Sequence, residues 1–346
     1  TLQPGEAGIS QAIEFGKKAG YPIMLKASLG GGGRGIRKVE SETDLLLQLP
    51  VARTEARSAF NDDSVYVEKC IEAPRHVEVQ ILADTHGNVI HLGTRDCSIQ
   101  RRHQKLLEIA PADLPKDVLE RMYEAAIAAA KGSNYVNAGT VEFLVDSKTN
   151  EFWFMEVNTR LQVEHTVTEE LTGVDIVRKQ ILIAQGEALD IPAERVHMLG
   201  KAVQVRINAE DPKNQFMPEG GKTVEVYHSP GGPGIRLDGL VYQGYKIPTE
   251  YDSLMVKLTC RGYDWSETID RLKRALLGFN IVGPKTTIPF YLAICDEPDF
   301  RAGRFDTGYI ETHPDLFGYP ETEREVAKLA KLIAEIHVKK INPYAY

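Results

Sequence analysis

The stretch from Glu156 to Glu164 reads Glu-Val-Asn-Thr-Arg-Leu-Gln-Val-Glu, and its charged and amide side chains stand at every second position. Residues two apart in a β-strand point to the same face, so an extended chain here would present an acid, an amide, a cation, an amide and an acid in order. Such a face cannot be buried without partners, because each polar group would lose its hydrogen bonds to water. The alternation predicts an extended run over 151–163 with a face that binds a small charged ligand.

The first half of this face has the composition of a metal site. Glu142 lies in a strand predicted over 139–145, which a short turn joins to the run. Glu142, Glu156 and Asn158 would then offer the oxygen ligands that Mg²⁺ commonly takes in proteins. The alternative is a pair of exposed acids on a hydrophilic sheet face.

The second half of the face favours a small anion. Arg160 and Gln162 could hold such an anion by hydrogen bonds, and Glu164 beside them could act as a general base. An exposed strand would not need this order of side chains, so a bound anionic substrate explains it better.

A glycine-rich loop lies between two predicted strands near the start of the chain. Lys26 to Gly35 reads Lys-Ala-Ser-Leu-Gly-Gly-Gly-Gly-Arg-Gly. Consecutive glycines let backbone N–H groups approach a polyphosphate closely, and Lys26 would add a positive charge. No Gly-Lys-Ser/Thr follows, which excludes a Walker A loop, and no helix with a downstream acid supports a dinucleotide fold. The alternative is a flexible hairpin tip.

A cationic stretch follows a predicted strand at Arg95 to Lys105, with the sequence Arg-Asp-Cys-Ser-Ile-Gln-Arg-Arg-His-Gln-Lys. The chain as a whole has a formal net charge of −8, so a local cationic segment behind a phosphate-type loop is a candidate anion funnel. The alternative is a solvated charged loop.

Composition limits the classes of protein to which the chain can belong. Its 346 residues, 42% hydrophobic and 26% charged, are typical of about two globular domains. The net charge of −8 argues against a general nucleic-acid binder. Four cysteines without a Cys-x-x-Cys pair indicate neither a zinc knuckle nor a disulfide scaffold, and they favour an intracellular location. No apolar run reaches membrane-spanning length, and because Thr1 is not an initiator methionine we expect a trimmed start.

Local patterns predict a mixture of helices and strands. Helices are expected over 7–20, 116–131, 173–185 and 323–338. A further helix, interrupted at Pro50, is expected between strands over 35–39 and 64–71. Strands are expected at 22–27 and 139–145, and two more strands are expected to form a hairpin from 75 to 93. A further subdomain of short strands is expected to begin near Gly200.

Taken together, these stretches resemble the ATP-grasp fold, and specifically the biotin carboxylase family of acetyl-CoA, propionyl-CoA and pyruvate carboxylases. The resemblance runs from about Tyr21 to about Tyr309 and depends on six motifs in order: Lys26–Gly35, Arg75–Gln80, Arg95–Lys105, Glu156–His165, Arg206–Pro212 and Tyr251–Leu258. The implied fold is α+β, with a lid subdomain at 1–70, a central antiparallel sheet at 71–199, a biotin carboxylase C-terminal subdomain at 200–315 and a helix or linker at 316–346.

The resemblance implies that ATP and bicarbonate give carboxyphosphate and ADP, and that the carboxyl group then passes to N1 of a protein-tethered biotin. Groups that bind bicarbonate or act in catalysis would be Lys105, Arg160, Gln162, the backbone of Val163, Glu164 as base and Arg206 as stabiliser of the biotin enolate. Nucleotide contacts would come from Lys26, Gly31, Gly32, Gly33, Glu68, Lys69, Ile71, His76, Gln100 and His103. Mg²⁺ or Mn²⁺ would be held by Glu142, Glu156 and Asn158.

The sequence also departs from the family pattern. The family's further N-terminal domain, with a lysine that reaches the nucleotide, is not in this chain, which puts unaided activity in doubt. Thr94 stands where many members have an acid, and Thr166 stands where proline is usual. No Met-Lys-Met biotinylation site is present, so the expected partners are a biotin carboxyl carrier domain and a carboxyltransferase, with a second copy of the chain as a further candidate.

Two other functions fit parts of the same pattern. One is a different ATP-grasp ligase that forms an acyl phosphate, such as a carbamoyl-phosphate synthase half or a purine-pathway carboxylase. The other is a shortened, non-catalytic piece that assembles a carboxylase complex. The expected compartment is the cytoplasm, or the mitochondrial matrix in a eukaryote, and the final carboxyl acceptor is not encoded in these motifs.

Overall fold

The structure is a computed structural model that describes residues 1–30, 35–192 and 196–319. Three predicted lid residues, Gly31, Gly32 and Gly33, and the helix predicted over 323–338 lie outside the described residues. Among those that are described, no helix is both long and apolar enough to span a bilayer.

The first part of the chain is a three-stranded antiparallel sheet, in the order β2-β1-β3, that carries two helices. Ile23 and Leu25 of the middle strand pack against Leu45 and Leu49 of the second helix, and all four are buried. The elements are α1 (Gly5–Ala19), β1 (Ile23–Ala27), β2 (Ile36–Val39), α2 (Glu42–Phe60) and β3 (Val65–Lys69).

Pro50 does not interrupt α2, contrary to the prediction from the sequence. An internal proline costs a helix about 3 kcal/mol because it removes a hydrogen bond and crowds the preceding turn. Leu45 and Leu49, buried one turn apart, each stabilise the folded state by roughly 1.5–3 kcal/mol. Ala52 and Ala56 extend the same buried stripe. Packing of this face therefore offsets the cost of the proline, and the helix continues.

The central part of the chain supplies five long or medium strands, a short hairpin and three helices. Its elements are β4 (Arg75–Ala83), β5 (Val89–Asp96), β6 (Gln100–Arg101), β7 (Gln104–Lys105), β8 (Leu107–Ala110), α3 (Lys116–Gly132), β9 (Asn137–Val145), β10 (Phe152–Asn158), α4 (His165–Thr172) and α5 (Ile176–Ala184).

The last part of the described chain adds two long strands, several short ones and four helices. Its elements are β11 (Lys201–Asn208), β12 (Glu210–Asp211), β13 (Met217–Pro218), β14 (Val226–His228), β15 (Ile235–Gly239), β16 (Leu254–Gly262), α6 (Trp265–Leu277), β17 (Asn280–Val282), α7 (Ile288–Asp296), α8 (Pro298–Arg301) and α9 (Tyr309–Thr312), with 3-10 turns at Pro212–Asn214 and Pro314–Phe317.

An eight-stranded antiparallel sheet joins these two parts, in the order β10-β9-β4-β5-β8-β11-β16-β15. The predicted central antiparallel sheet is therefore confirmed. The ladder between β8 and β11 pairs Ala110 with Ala202 and Leu107 with Val205, so the sheet crosses residue 200 without a break. The subdomain division at residue 200 stays a prediction.

The strand β4 is buried on both faces, although its alternation predicts a half-buried strand. Val77, Val79 and Ile81 pack against α3 in one apolar cluster. The opposite face carries Glu78 and Gln80, which are fully buried as well. Polar residues in this position need partners inside the protein.

Arg95 supplies those partners and does not belong to an anion funnel, because it is fully buried beneath the sheet surface. Its guanidinium donates to Glu78 Oε1 at 2.5 Å and to Gln80 Oε1 at 2.7 Å, both on β4. It also donates to Thr140 Oγ1 on β9 at 3.1 Å and to Thr168 Oγ1 on α4 at 3.0 Å. One side chain thus ties three neighbouring strands to a helix.

The run from 151 to 163 is not one strand. Strand β10 ends at Asn158, and Glu164 is the N-cap residue of α4. The Gln162 carbonyl accepts hydrogen bonds from the His165 backbone N–H at 3.3 Å and from His165 Nδ1 at 2.8 Å. This local turn competes with continued strand pairing, so the predicted single polar face is wrong beyond Asn158.

Asp84 fastens the turn between β4 and β5 and is 3% exposed. Its carboxylate accepts hydrogen bonds from the backbone of His86 at 2.8 Å and of Asn88 at 2.9 Å, and from the Asn88 side chain at 2.7 Å. A fourth donor, the Leu189 N–H at 2.7 Å, comes from a distant segment. Burial opposes the charged form, but these hydrogen bonds lower the pKa of Asp84 to about 2.

We expect Arg95→Met to lower the free energy of unfolding by about 3–5 kcal/mol, because it leaves the buried Glu78 carboxylate short of a counter-charge. Urea unfolding followed by circular dichroism measures the change. Lys17→Met removes an exposed ion pair with Glu42 and is the control, with an expected change within about 0.5 kcal/mol. Equal losses in the two variants would contradict the assigned role of Arg95.

We expect the stabilising effect of Asp84 to depend on pH. Its folded-state pKa lies below the unfolded value, so the stabilisation, roughly 2 kcal/mol, is present above about pH 4 and is lost as the pH falls through about 2. Urea midpoints measured from pH 7 to pH 2.5 should therefore fall less steeply for Asp84→Asn than for the unmodified chain. Asp113→Asn, at a 91% exposed side chain, should leave the pH slope unchanged.

Candidate active site

Four charged residues form a row across the large sheet. In register, Arg95 on β5 lies opposite Glu78 on β4, Glu78 lies opposite Glu142 on β9, and Glu142 lies opposite Glu156 on β10. Like charges at directly opposite positions of an antiparallel pair destabilise the sheet. Three adjacent carboxylates therefore require cations on the same face.

Lys105 is one of these cations, and it reaches the row from the β6–β7 hairpin. Its Nζ lies 2.7 Å from Glu78 Oε2, 2.8 Å from Glu142 Oε1 and 2.8 Å from Glu164 Oε1. An ammonium has three donors, and all three are used. Burial by itself would lower the pKa of Lys105, but the carboxylates of Glu78, Glu164 and Glu142 outweigh it and raise that pKa well above its ordinary value.

The turn that presents Lys105 has an unusual backbone. Arg102 and His103 occupy its two central positions with φ of 48° and 64°, in the left-handed region. Such two-residue hairpins favour asparagine and glycine, and other residues in this region cost free energy. His103, a predicted nucleotide contact, lies exposed at the tip of this strained turn.

His76 and Gln100 lie beside Glu142, at the end of the row that carries the predicted metal ligands. His76 Nε2 is 3.0 Å from Glu142 Oε2, and Gln100 Nε2 is 3.5 Å from His76 Nδ1. Burial disfavours the charged form of Glu142, but His76 and then Lys105 lower its pKa to about 2. Glu142 is therefore a carboxylate throughout the physiological range.

The predicted metal ligands fit a hard divalent cation by their chemistry. Glu142 and Glu156 lie directly opposite each other on neighbouring strands, and Asn158 follows two residues later on β10. Within the described ranges, the side chains of Glu156 and Asn158 form no hydrogen bond or ion pair, so their oxygens are available. Carboxylate and amide oxygens suit Mg²⁺. His76, Glu78 and Glu142 also place ligand atoms within 4.8 Å of one another.

Gln162 offers a buried donor that lacks an acceptor. Its side chain is 5% exposed, and its Oε1 accepts a hydrogen bond from Arg160 Nη1 at 3.3 Å. Its Nε2 has no hydrogen-bond partner in the described part of the chain. An unsatisfied buried donor costs about 1–3 kcal/mol. The amide is therefore well suited to an anion that enters beside Glu164.

Glu164 is fully buried between two cations. Its Oε1 faces Lys105, and its Oε2 accepts a hydrogen bond from Arg206 Nη2 at 3.2 Å. Arg206 also donates to Glu108 Oε1 from Nε at 2.9 Å and from Nη2 at 2.5 Å. Burial raises the pKa of Glu108 despite the attraction of Arg206. Arg206 thus joins the candidate base to a second buried acid.

A buried polar network continues behind Glu108. Gln204 Nε2 donates to Glu108 Oε2 at 3.0 Å, and Gln204 Oε1 accepts from Thr166 Oγ1 at 2.5 Å. The Thr166 hydroxyl is also 2.7 Å from Thr259 Oγ1. Thr166, which stands where the family pattern has proline, therefore has partners for its hydroxyl in this chain.

Sequence reasoning did not single out Glu78 and Glu108. Glu78 stands two positions after His76 on the polar side of the alternating β4 strand. This alternation is the sequence signal that could have identified Glu78. Glu108 interrupts the otherwise apolar run of 106–110, and an acid within such a run indicates a buried partner.

The predicted nucleotide contacts outside this cluster lie on the smaller sheet. Lys26 on β1 forms an ion pair with Glu68 on β3, and Lys69 Nζ donates to the Gly20 carbonyl at 3.0 Å. Ile71 follows β3 and is half-buried. Between this group and the cluster around Lys105, the described residues form no direct hydrogen bond or ion pair, and Gly31–Gly33 lie outside that description.

Two protein families match the chain. The family described as "Carbamoyl-phosphate synthase L chain, ATP binding domain" matches residues 2–192, and the family described as "Biotin carboxylase C-terminal domain" matches residues 204–312.

Individual biotin carboxylases and pyruvate carboxylases are also similar to the chain. Biotin carboxylase of Nostoc sp. is 50% identical over 313 residues, 89% of this chain and 70% of that protein. Pyruvate carboxylase of Bacillus subtilis is 47% identical over 347 residues, 97% of this chain and 30% of that protein. A solved structure also matches: the biotin carboxylase domain dimer of Hydrogenobacter thermophilus 2-oxoglutarate carboxylase in complex with MgADP, ADP and bicarbonate. It superposes on this chain with a TM-score of 0.85 at 48% sequence identity, and the match covers 90% of this chain and 69% of that chain.

The chain thus spans about 70% of the length of a biotin carboxylase and under a third of a pyruvate carboxylase. Its sheet order is that of an α+β fold with a large antiparallel sheet. With family matches over residues 2–192 and 204–312 and a biotin carboxylase relative at 50% identity, the chain belongs to the biotin carboxylase family of ATP-grasp proteins.

Proposed function

We propose that this chain carries out the ATP-dependent carboxylation of biotin with bicarbonate, by way of carboxyphosphate. The observation that carries the proposal is the buried Glu164 carboxylate, held between Lys105 and Arg206 beside Gln162, whose Nε2 has no hydrogen-bond partner among the described residues. Deprotonation of a small anion requires a base, cations that balance the charge and a donor that holds the anion, and these groups lie together around Glu164.

In the first step, bicarbonate binds to Lys105, Arg160, Gln162 and the backbone of Val163. Glu164 removes the bicarbonate proton, and the freed oxygen attacks the γ-phosphorus of ATP, so that ADP leaves and carboxyphosphate forms. Bicarbonate is a weak nucleophile until it is deprotonated, and a positioned base contributes typically 10²–10⁴-fold. Lys105 balances the negative charge that collects at this point.

Nucleotide and metal would be bound by residues on both sheets. Lys26, Glu68, Lys69, Ile71, His76, Gln100, His103 and Gly31–Gly33 are the proposed nucleotide contacts. Glu142, Glu156 and Asn158 would hold Mg²⁺ or Mn²⁺, which neutralises charge on the phosphates when bound.

In the second step, the carboxyl group of carboxyphosphate passes to N1 of biotin and phosphate leaves. The ureido nitrogen is a weak nucleophile, and enolisation of the ureido group develops negative charge on its oxygen. Arg206 lies beside Glu164 and would stabilise that charge by hydrogen bonds. The proton from N1 must move to a nearby base, for which the leaving phosphate is suited.

The proposed partners are a biotin carboxyl carrier domain and a carboxyltransferase, together with a second copy of this chain. A dimer is reported for the Hydrogenobacter thermophilus domain, and the pyruvate carboxylase relatives are much longer polypeptides. The four cysteines are free thiols, which supports the cytoplasm, or the mitochondrial matrix in a eukaryote, as the compartment.

We expect bicarbonate-dependent ATP hydrolysis to be stimulated by free biotin, and Glu164→Gln to lower the stimulated rate about 10²-fold or more because the bicarbonate proton then has no acceptor. Phosphate release measured with and without biotin tests this. Because the relatives are longer, the assay includes a chimera in which the N-terminal segment of the Nostoc biotin carboxylase precedes Thr1.

Glu170→Gln is the matched control, since Glu170 lies on the same helix without contact to Lys105 or Arg206, and it should retain the stimulated rate. If ATP hydrolysis by the chimera does not respond to biotin, the proposal is refuted. It would instead support another acyl-phosphate-forming ligase of this fold.

The metal assignment predicts that Glu142→Gln combined with Glu156→Gln weakens MgADP binding at least about tenfold, because the carboxylate charges that attract the cation are gone. Calorimetric titration with ADP, in Mg²⁺ and in EDTA, measures the Mg²⁺-dependent part. Glu151→Gln, at an exposed residue just before β10, is the control and should bind as the unmodified chain does. Unchanged Mg²⁺ dependence in the double variant would refute these ligands.

A further inference from the structure

The motif Tyr251–Leu258 contains a lysine to which the proposed reaction gives no role. Lys257 lies on β16 directly opposite Arg206 on β11, so the two side chains leave the sheet on the same face. Arg206 reaches Glu164, and Lys257 Nζ reaches the carbonyl of the preceding residue, Val163, at 3.3 Å. Two opposite cations of the sheet thus contact consecutive residues of one turn.

Every carbonyl of this turn has a hydrogen-bond donor. The Gln162 carbonyl accepts from the N–H and Nδ1 of His165, the Val163 carbonyl from Lys257, and the Glu164 carbonyl from the Val167 N–H at 3.4 Å. The orientation of each peptide unit from 162 to 164 is therefore fixed.

Fixing a carbonyl also fixes the N–H of the same peptide unit, because the unit is planar and trans, and the two groups point in opposite directions. His165 thus orients the Val163 N–H through the Gln162 carbonyl, and Lys257 orients the Glu164 N–H through the Val163 carbonyl. Neither N–H has a backbone acceptor among the described residues. Both lie at the N-terminal end of α4, where the helix dipole favours an anion.

Lys257 is half-buried, and its Nζ donates to a backbone carbonyl. Lys257 has two register partners: Arg206 on β11, whose like charge disfavours the pairing, and Asp238 on β15, whose opposite charge favours it. Lys257 forms no ion pair within 4 Å in the parts of the chain that the structure covers, and burial lowers its pKa although the nearby Asp238 carboxylate favours the charged form. The buried Gln162 Nε2, which has no hydrogen-bond partner among the residues that the structure describes, independently indicates a ligand at the same turn.

We infer that Lys257 is a positioning residue for bicarbonate: it holds the Val163–Glu164 peptide so that the turn's N–H groups face the anion, and His165 does the same for the preceding peptide. This inference depends on the proposed function, because bicarbonate is the anion assigned to the turn. Lys257 itself contacts neither the anion nor the nucleotide.

The test compares Lys257→Met, which keeps the length of the side chain and removes the donor, with the unmodified chain and with Lys201→Met. Lys201 lies on the same sheet, with its side chain 26% exposed, and serves as the matched control. For Lys257→Met we expect the KM for bicarbonate to rise roughly 10- to 100-fold, the change expected from losing a hydrogen bond to a charged group. The KM for MgATP should stay within about twofold, and Lys257→Arg should recover most of the loss.

Direct bicarbonate binding, followed by the line width of ¹³C-bicarbonate in NMR, provides a readout without turnover. We expect weaker binding in Lys257→Met and unchanged binding in Lys201→Met. If Lys257→Met does not fold, Lys257→Gln, which keeps an N–H donor without the charge, replaces it and should show a smaller rise in the same KM.

An unchanged KM and unchanged bicarbonate binding in a folded Lys257→Met would overturn the inference while leaving the proposed function intact. A fall in kcat with every KM constant would also overturn it, since that result indicates a role outside bicarbonate positioning. Failure of the proposed function is distinct, because ATP hydrolysis by the chimera without any substitution would then not respond to biotin.

Discussion

The hydrogen bonds of the Lys105 ammonium to three buried carboxylates are the interaction on which the candidate site depends. Glu78 and Glu142 come from neighbouring strands, and Glu164 comes from the start of α4. Buried charges destabilise a fold unless partners offset their desolvation, and these acids would also repel one another. The position of the hairpin that carries Lys105 is therefore fixed by charge as well as by packing.

The same arrangement shapes how the proposed chemistry can begin. Both oxygens of Glu164 are hydrogen-bonded, one to Lys105 and one to Arg206. Each oxygen keeps a second lone pair that can accept a substrate proton, whereas an anion that binds Lys105 must replace one of its three carboxylate partners. Arg206 has an alternative partner in Glu108, which Gln204 holds in turn. The cations of the site are thus paired with carboxylates of the same site, and under the proposed function an anion would bind by replacing one of these partners.

Sequence reasoning worked where partners lie in register or close along the chain. Glu142 and Glu156 were predicted to meet across neighbouring strands, and they are register partners. The strand was extended too far because alternation over 160–164 fits a turn that leads into a helix as well as it fits a strand. Lys257 was missed because its partner comes from a segment distant in the chain, and no local pattern identifies that contact. For Glu78, the alternation of β4 marks a polar position but does not identify its partners.

The continuous ladder between β8 and β11 bears on how this polypeptide could be divided. The two family matches meet near residue 200, yet Leu107–Ala110 and the facing strand residues share one set of backbone hydrogen bonds. Separating the chain there would leave two unprotected strand edges, each lined with unpaired amide groups that invite association with other chains. The two family matches thus divide the sequence where the sheet is continuous, and the smallest piece that could fold alone must include both β8 and β11.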